Sequence, residues 1–337
     1  MNIHPPYLIF LGDVPDALAA KTGLGIVDWR PEWCLGQLRL PGCQADAEIP
    51  DMTIDEAKAR GVRTMVIGAV NAGGVLPAHW VSSIVAALEA GMDVASGLHT
   101  KLGEVPEIAA AAAGKGGALH DVRHTKERFA TGKGTKRAGR RLLTVGTDCS
   151  VGKKYTALAM EKAMREAGMN ADFRATGQTG VFISGRGAAI DAVVADFISG
   201  AVEWISPAAD DPEHWDLVEG QGSLFHPSFS GVTLGLLHGA QPDAFIVCHE
   251  PTRTTMRGVQ HKLPDIREVI DMTIALGRLT NPAIRCVGLS INTEKLGEAE
   301  AKAYLKEVSE RYGLPASDPV RFGVEPILRF LQASFAF

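Results

Sequence analysis

Short apolar runs alternate along this chain with polar turns and with stretches whose apolar positions recur every three or four residues. In the first third, Tyr7 to Leu11, Leu24 to Asp28, Thr64 to Val70 and Val94 to Ser96 are apolar and partly β-branched, which predicts strands. Thr53-Ile-Asp-Glu56 has the spacing of a capping box and predicts a helix ending near Gly61. Trp80 to Ala90 has helical spacing and stops at Gly91, and Val105 to Ala113 predicts an Ala-rich helix. The rhythm resumes with strands at Leu142 to Val145, Ala171 to Ala175, the run from Trp215 to Glu219, Phe245 to Cys248 and Val287 to Ile291. Helices are predicted at Thr156 to Ala167 and from Ile190 through Asp196. Such alternation builds parallel sheets, because parallel neighbours need a crossover between them. The predicted class is therefore α/β, with a Rossmann-like parallel-sheet domain over residues 1–122 and a second α/β domain over 142–337. No G-x-G-x-x-G follows the first strand, so nothing there supports dinucleotide binding.

The turn after Val145 carries the strongest chemical signal. It reads Gly146-Thr147-Asp148-Cys149-Ser150-Val151-Gly152-Lys153-Lys154-Tyr155-Thr156, between a strand and a helix. Glycines allow positive φ and close backbone approach, successive N–H groups and the helix N-terminus face an anion, and lysine adds mobile positive charge. The second domain is thus predicted to be P-loop NTPase-like, with a phosphate group as ligand. The usual loop ends Gly-Lys-Ser/Thr, its hydroxyl holding Mg²⁺; here Lys154 stands in that place and the first hydroxyl comes at Thr156. Cys149 admits two readings: a thiol activated by the helix terminus and the lysines, or a small residue that fits a tight loop.

Other polar clusters sit at predicted strand ends, where open α/β sheets bind ligands. In the first domain they are Asp28-Trp-Arg30-Pro-Glu32, Asn71-Ala-Gly-Gly74 and Gly97-Leu-His99-Thr-Lys101. Arg30 suits a substrate carboxylate, and His99 a charge or proton contact, unless each is simply a surface residue. In the second domain Thr176-Gly-Gln178-Thr179-Gly180 is a turn suited to lining a pocket, and Asp191 begins the next helix. Glu219, followed by Gly220 and Gly222, stands where P-loop proteins keep a second acid. His249 and Glu250 are candidate acid–base groups, while Arg253 and Arg257 suit carboxylates or phosphates. Asn292 ends the last long strand and offers both donor and acceptor.

Composition narrows the field. Lys and Arg number 34 against 39 Asp and Glu, a net charge of −5, which argues against a nucleic-acid binder. The basic tract over 123–141 reads as a linker, either a solvated connector or a border that adds to the phosphate site's field. Five scattered cysteines without Cys-x-x-Cys spacing predict a reduced cytoplasmic protein with no structural metal. No apolar run reaches the roughly 18 residues of a membrane span, so no membrane partner is expected. Two-fold assembly is the commonest kind, and a homodimer or higher homo-oligomer is expected.

Gly146-Thr-Asp, three residues, then Gly152-Lys153 resembles the nucleotide loop of dethiobiotin synthetase, and the likeness runs through the second domain only. That resemblance implies a catalytic position for Arg174, metal-binding positions for Asp191 and Glu219, and an adenine contact for Asn292. Lys154 departs from it at the metal-binding hydroxyl, and Arg174 stands where that enzyme has lysine. The chain is similar over both domains to a second family, long described as P-loop proteins of unknown function, some members of which are D-glutamate N-acetyltransferases. The similarity rests on Asp28-Trp-Arg-Pro-Glu32, Gly97-Leu-His-Thr100, Gly146-Thr-Asp-Cys149, Thr176-Gly-Gln-Thr-Gly180, Val218-Glu-Gly-Gln-Gly222 and His249-Glu-Pro-Thr-Arg253 taken together.

This second resemblance implies acetyl transfer from acetyl-CoA, as co-substrate, to the amine of D-glutamate, with no metal required. Coenzyme A carries phosphates that a P-loop can anchor without a hydroxyl for Mg²⁺. On that reading Gly146 to Thr156 and Asn292 bind the donor. His249, Glu219 and Asp191 are candidate bases, and Arg30, His99, Arg174, Gln178, Thr179, Arg253 and Arg257 line the acceptor site. The alternatives are an ATP- and Mg²⁺-dependent kinase or ligase, and a nucleotide-binding regulator without turnover.

Overall fold

The computed structural model describes residues 3–17, 19–69, 74–115, 117–124 and 127–335. It divides into two units: residues 1–127 with Gly177–Ala192, and Arg128–Thr176 with Val193–Phe337. The segment after the second unit's first crossover thus belongs to the first unit, a return that a single division at 123–141 does not anticipate.

The first unit is a five-stranded parallel sheet. In chain order it runs β1 (Tyr7–Gly12), α1 (Lys21–Trp29), β2 (Cys34–Arg39), α2 (Ile54–Ala59), β3 (Thr64–Ile67), α3 (Val81–Glu89), β4 (Asp93–Ser96), α4 (Pro106–Lys115) and β5 (Leu119–Asp121). The sheet order is β2-β1-β3-β4-β5, every pairing parallel. The α/β, Rossmann-like expectation holds. The Thr53/Glu56 capping box forms with both reciprocal bonds, and Gly61 and Gly91 take the positive φ that ends α2 and α3.

Leu24 to Asp28 is corrected: it lies inside helix α1, not in a strand. A short apolar run does not distinguish a strand from a buried helix face. Here Thr22, Gly23 and Ile26 are buried at helical spacing. A Cβ on Gly23 would fall 2.8 Å from Ile9 Cγ2 and 3.2 Å from Gly68 Cα, so glycine lets the helix lie close on the sheet. The strand that follows β1 is instead β2, with a register shift beside Tyr7. The turn expected at Asn71-Ala-Gly-Gly74 lies, apart from Gly74, outside the described residues.

The second unit begins with β6 (Arg140–Gly146) and α5 (Lys153–Glu166), then β7 (Ala171–Arg174). The chain next supplies α6 (Gln178–Ser184) to the first unit before continuing in α7 (Ile198–Ile205), β8 (Trp215–Val218), α8 (Ser230–Ala240) and β9 (Ala244–His249). It closes with α9 (Ile266–Gly277), β10 (Arg285–Ile291), α10 (Glu298–Tyr312), β11 (Ala316–Ser317) and α11 (Glu325–Phe335). The sheet order is β11-β10-β9-β6-β8-β7, again parallel throughout. Strand order reverses around β6, so β6 ends at a switch point flanked by the ends of β8 and β9. Leu142, Met160, Trp215, Leu217, Ile246, Val287 and Ile327 form its core, and Met160 and Met164 lie one turn apart on the buried face of α5.

Two further expectations change. The helix predicted from Ile190 is two 3₁₀ turns, Ile190–Ala192 and Ala195–Phe197, with the helix proper starting at Ile198. The basic tract is not solvated along its whole length. Arg141 is 1% exposed and donates to Ser206 Oγ at 2.9 Å and to four carbonyls, while Arg137 donates to Ser206 O, Gly239 O and Gln241. A guanidinium can be buried when each N–H finds an acceptor; the Arg137, Ala138 and Gly139 carbonyls are local, while Ser206, Pro207, Gly239 and Gln241 come from chain 65 or more residues away.

β8 ends on a contact that tolerates no side chain. A Cβ on Gly220 would sit 1.7 Å from Thr144 O and 2.9 Å from Lys153 Cδ. Gly220→Ala is expected to destabilise the protein by about 3 kcal/mol, since backbone at that distance has to move. Gly231→Ala, in α8 with nothing near the added methyl, is expected to be neutral or slightly stabilising. Denaturant unfolding of both variants checks the pair, and equal stabilities would contradict the packing described.

Candidate functional site

The second unit's site is built where β6, β8, β9 and β10 end side by side. β6 delivers Gly146; the loop runs through Ser150 at φ +54° and Gly152 at φ +102°, and α5 starts at Lys153. Two left-handed residues turn the backbone so that its N–H groups gather at the helix N-terminus, the geometry of an anion cradle. Gly146 is held to glycine by Val151 Cγ2, 2.8 Å from where its Cβ would be.

Lys153 is buried, its Nζ donating to Asp148 O at 2.7 Å. Burial pushes its ammonium below the usual lysine range, against the thiols and carboxylate nearby. Lys154 sets its Nζ 4.5 Å from the centre of the Tyr155 ring. Thr156 does not serve as a loop hydroxyl: it is fully buried and bonds Gly152 O at 3.0 Å and Ser290 Oγ at 2.7 Å. The loop therefore offers cations and N–H groups where a nucleotide-hydrolysing loop would also present a metal-binding hydroxyl.

Asp148 has no exposure and accepts from Cys149 N at 2.7 Å, Arg253 Nη1 at 2.6 Å and Arg257 N at 2.7 Å. Arg253 also donates to Cys149 O at 2.7 Å and Ser150 O at 3.3 Å, and Arg257 Nη1 donates to Ser150 Oγ at 2.6 Å. These arginines are thus bound into the phosphate loop. Burial raises the Cys149 thiol above its ordinary value despite the lysine and arginines beside it, so the activated-thiol reading loses its basis.

Three neighbouring strand ends supply the remaining groups. After β8, Glu219 is buried and accepts from Thr176 N at 3.0 Å, while Thr176 Oγ1 donates to its carbonyl. Gly220 N donates to Thr144 Oγ1 at 2.9 Å, so that amide is engaged within the sheet. At the end of β9, His249 Nδ1 lies 3.0 Å from Thr147 Oγ1. Burial pushes its ring down to about 4, with Glu250 and Asp265 only partly opposing. Glu250 is buried too, but bonds from Thr252 and the Lys295 ammonium outweigh burial and hold its carboxyl low. After β10, Asn292 N donates to His249 O at 2.8 Å, and its Oδ1 accepts from Glu294 N.

Arg174 belongs to this unit but is drawn away from the strand ends. Its Nε bonds Asp216 Oδ1 at 2.6 Å and its Nη2 reaches Asp172 at 3.3 Å, both one pleat back along the strands. The remaining candidates lie in the first unit. Asp191 pairs with Arg123 at 2.8 Å, Gln178 Oε1 accepts from Arg123 Nη1 at 3.1 Å, and Thr179 Oγ1 is 3.3 Å from Thr22 Oγ1. Arg30 donates to Trp29 O and lies over the Trp33 ring. His99 is exposed, and Gly74 is the residue that makes room for its ring.

Sequence reasoning missed His226. It is buried against the loop, and among the described residues it forms with Asp148 and Cys149 a group whose ligand atoms lie within 4.8 Å. Both ring nitrogens are engaged, Nε2 with Arg257 O at 3.0 Å and Nδ1 with Ser228 N at 3.2 Å, and Arg253 already neutralises Asp148. A cation there would meet that guanidinium. No local pattern around His226 signals the contact, which depends on the turn between β8 and α8.

Comparison with known proteins gives the same two halves. Residues 38–125 match the Rossmann-like N-terminal domain of DUF1611, and residues 128–328 match its P-loop domain, each described as a domain of unknown function. A D-glutamate N-acetyltransferase from Tritonibacter scottomollicae is 53% identical over 98% of this chain and 99% of its own length. One from a Pseudoalteromonas species is 49% identical over 97% and 99%. The crystal structure of a DUF1611 family protein from Anabaena variabilis, 30% identical, superposes with a TM-score of 0.85 over 98% of this chain and all of its own. With both domain types matched in order and relatives alike from end to end, the chain belongs to the DUF1611 family, Rossmann-like domain first and P-loop domain second.

Proposed function

We propose that the protein is a D-glutamate N-acetyltransferase, with acetyl-CoA as acyl donor. The observation that carries this reading is its 53% identity, over nearly the whole length of both chains, to a protein bearing that activity's name. The phosphate loop supports the choice of donor. The turn into α5 presents the N–H groups of a helix start with Lys153 and Lys154 beside them, which fits phosphates that are held rather than transferred. Asn292, at the end of β10 two strands from β6, is our candidate contact for the base of the same donor.

In this reaction the amine nitrogen bonds to the thioester carbonyl carbon, the C–S bond breaks, and the coenzyme leaves as thiolate. The nitrogen must lose a proton as the C–N bond forms. His249 is our candidate acceptor for it. In the tautomer whose Nδ1–H donates to the Thr147 hydroxyl, Nε2 carries the lone pair. A ring whose pKa is near 4 is always deprotonated at neutral pH. It is a weak base, matched to an N–H that turns acidic only once the nitrogen has attacked. Glu219 and Thr176 brace the wall beside Lys153.

The deciding assay incubates the protein with acetyl-CoA and a panel of D- and L-amino acids, beside an ATP and Mg²⁺ control. Thiol release with D-glutamate is expected. ADP in the control without thiol from any amino acid would favour a kinase or ligase, and binding without either product a regulator. His249→Gln is expected to lower kcat by about 10²-fold or more, and a change under twofold removes it from the proton path. Wild-type kcat/KM is expected to rise about tenfold per pH unit from pH 6 to 8, tracking the neutral amine, because the depressed His249 finishes titrating below that range. A second inflection near the ordinary histidine value would assign the proton to another group. Cys149→Ser is expected to keep kcat within about threefold, since a raised thiol is a poor nucleophile. Abolished turnover with intact coenzyme binding would restore the covalent route.

A further inference from the structure

The notable group in the loop is the one that is neither glycine nor lysine. Asp148 carries a negative charge with no solvent access inside a cradle built for anions, where it opposes any phosphate unless something more than neutralises it. The structure does more than neutralise it. Arg253 and Arg257 come from the turn after β9, about a hundred residues downstream, and both are fixed by this carboxylate: Arg253 through its guanidinium, Arg257 through its backbone N–H. From those anchors their side chains run along the loop, Arg253 to the carbonyls of Cys149 and Ser150, and Arg257 to the Ser150 hydroxyl. Arg253 Nε is 3.7 Å from Glu250, which holds its other edge. The guanidinium of Arg257 is exposed, that of Arg253 partly so. Two planar forks therefore border the residues whose N–H groups form the cradle.

We infer that Asp148 is a positioning residue that sets Arg253 and Arg257 at the mouth of the phosphate loop, and that these arginines read phosphates of the acyl donor rather than carboxylates of the acceptor. The inference rests on the acetyl-CoA reading and adds how the donor is told from a phosphate-free thioester. Guanidinium forks match phosphate oxygens two at a time. Arginines tied to the loop's own carbonyls and hydroxyl share its ligand. Asp148 acts through them and touches no substrate.

The test is binding, measured by titration calorimetry with two probes: coenzyme A, and pantetheine, which shares its thiol arm and lacks every phosphate. Wild type is expected to prefer coenzyme A strongly. Asp148→Asn keeps the side chain's shape and one acceptor but loses the ion pair, and is expected to weaken coenzyme A binding by about tenfold or more with pantetheine unchanged. Arg257→Gln, on an exposed side chain that leaves the core intact, is expected to do the same. In turnover both variants raise KM for acetyl-CoA and leave kcat within about twofold, because the phosphates are remote from the bond that breaks. Equal losses for the two probes would reduce Asp148 to a structural role and overturn the inference, as would a KM that moves only with D-glutamate. Absence of thiol release from wild type, with the difference between probes intact, would sink the acetyltransferase reading and leave the arginine assignment standing.

Discussion

The buried carboxylate of Asp148 has to find hydrogen-bond donors without water, and the loop's geometry follows from how it does so. A carboxylate at zero exposure is tolerable only with donors on its oxygens. Three N–H groups meet it, two of them from the turn that follows β9. That turn is thereby fastened to the strand-to-helix loop after β6, and His249, at the start of it, is brought against Thr147. On the opposite side, Gly220 lets Lys153 pack its stem on the end of β8 while its ammonium reaches the Asp148 carbonyl. One residue's two polar groups, carboxylate and carbonyl, so organise both flanks of the switch point.

The parallel α/β plan was legible because its determinants are local. The Thr53/Glu56 box and the glycines after α2 and α3 act within a few residues, and the structure reproduces them. Leu24 to Asp28 was misread because burial of α1 depends on Gly23 meeting Gly68, a contact between distant segments. The basic tract was misread for a related reason. Arginine is ordinarily solvated, and only the fold shows that Arg137 and Arg141 end among carbonyls that accept their N–H groups.

The site was legible to a similar degree. Gly146 to Lys153 declared itself through glycine spacing between a strand and a helix, and Lys154 marked a departure from the usual Gly-Lys-Ser/Thr ending. Polar strand ends named Glu219, His249 and Asn292, and the sheet order sets the first two beside the loop and Asn292 one strand beyond. Side-chain direction was not legible. Arg174 ends an alternating strand, and its long side chain turns back to Asp216 and Asp172. Arg253 and Arg257 stand beside His249 in sequence, but the group that fixes them is on another strand's loop. His226 carries no local mark at all.

The return of Gly177–Ala192 to the first unit bears on how the chain is made. Tyr7 meets the Phe182 carbonyl, Ile3 N bonds Gly185 O at 2.9 Å, and Arg123 holds both Gln178 and Asp191. A nascent chain emerging in order can pair all five strands of the first sheet early, but the helix that packs beside α1 arrives only after the phosphate loop and β7 have followed. The N-terminal unit therefore leaves the ribosome with part of its covering missing, exposed for the time taken to synthesise about sixty-five more residues, several seconds at ordinary translation speed. Dividing the gene at the basic tract would make that interval permanent.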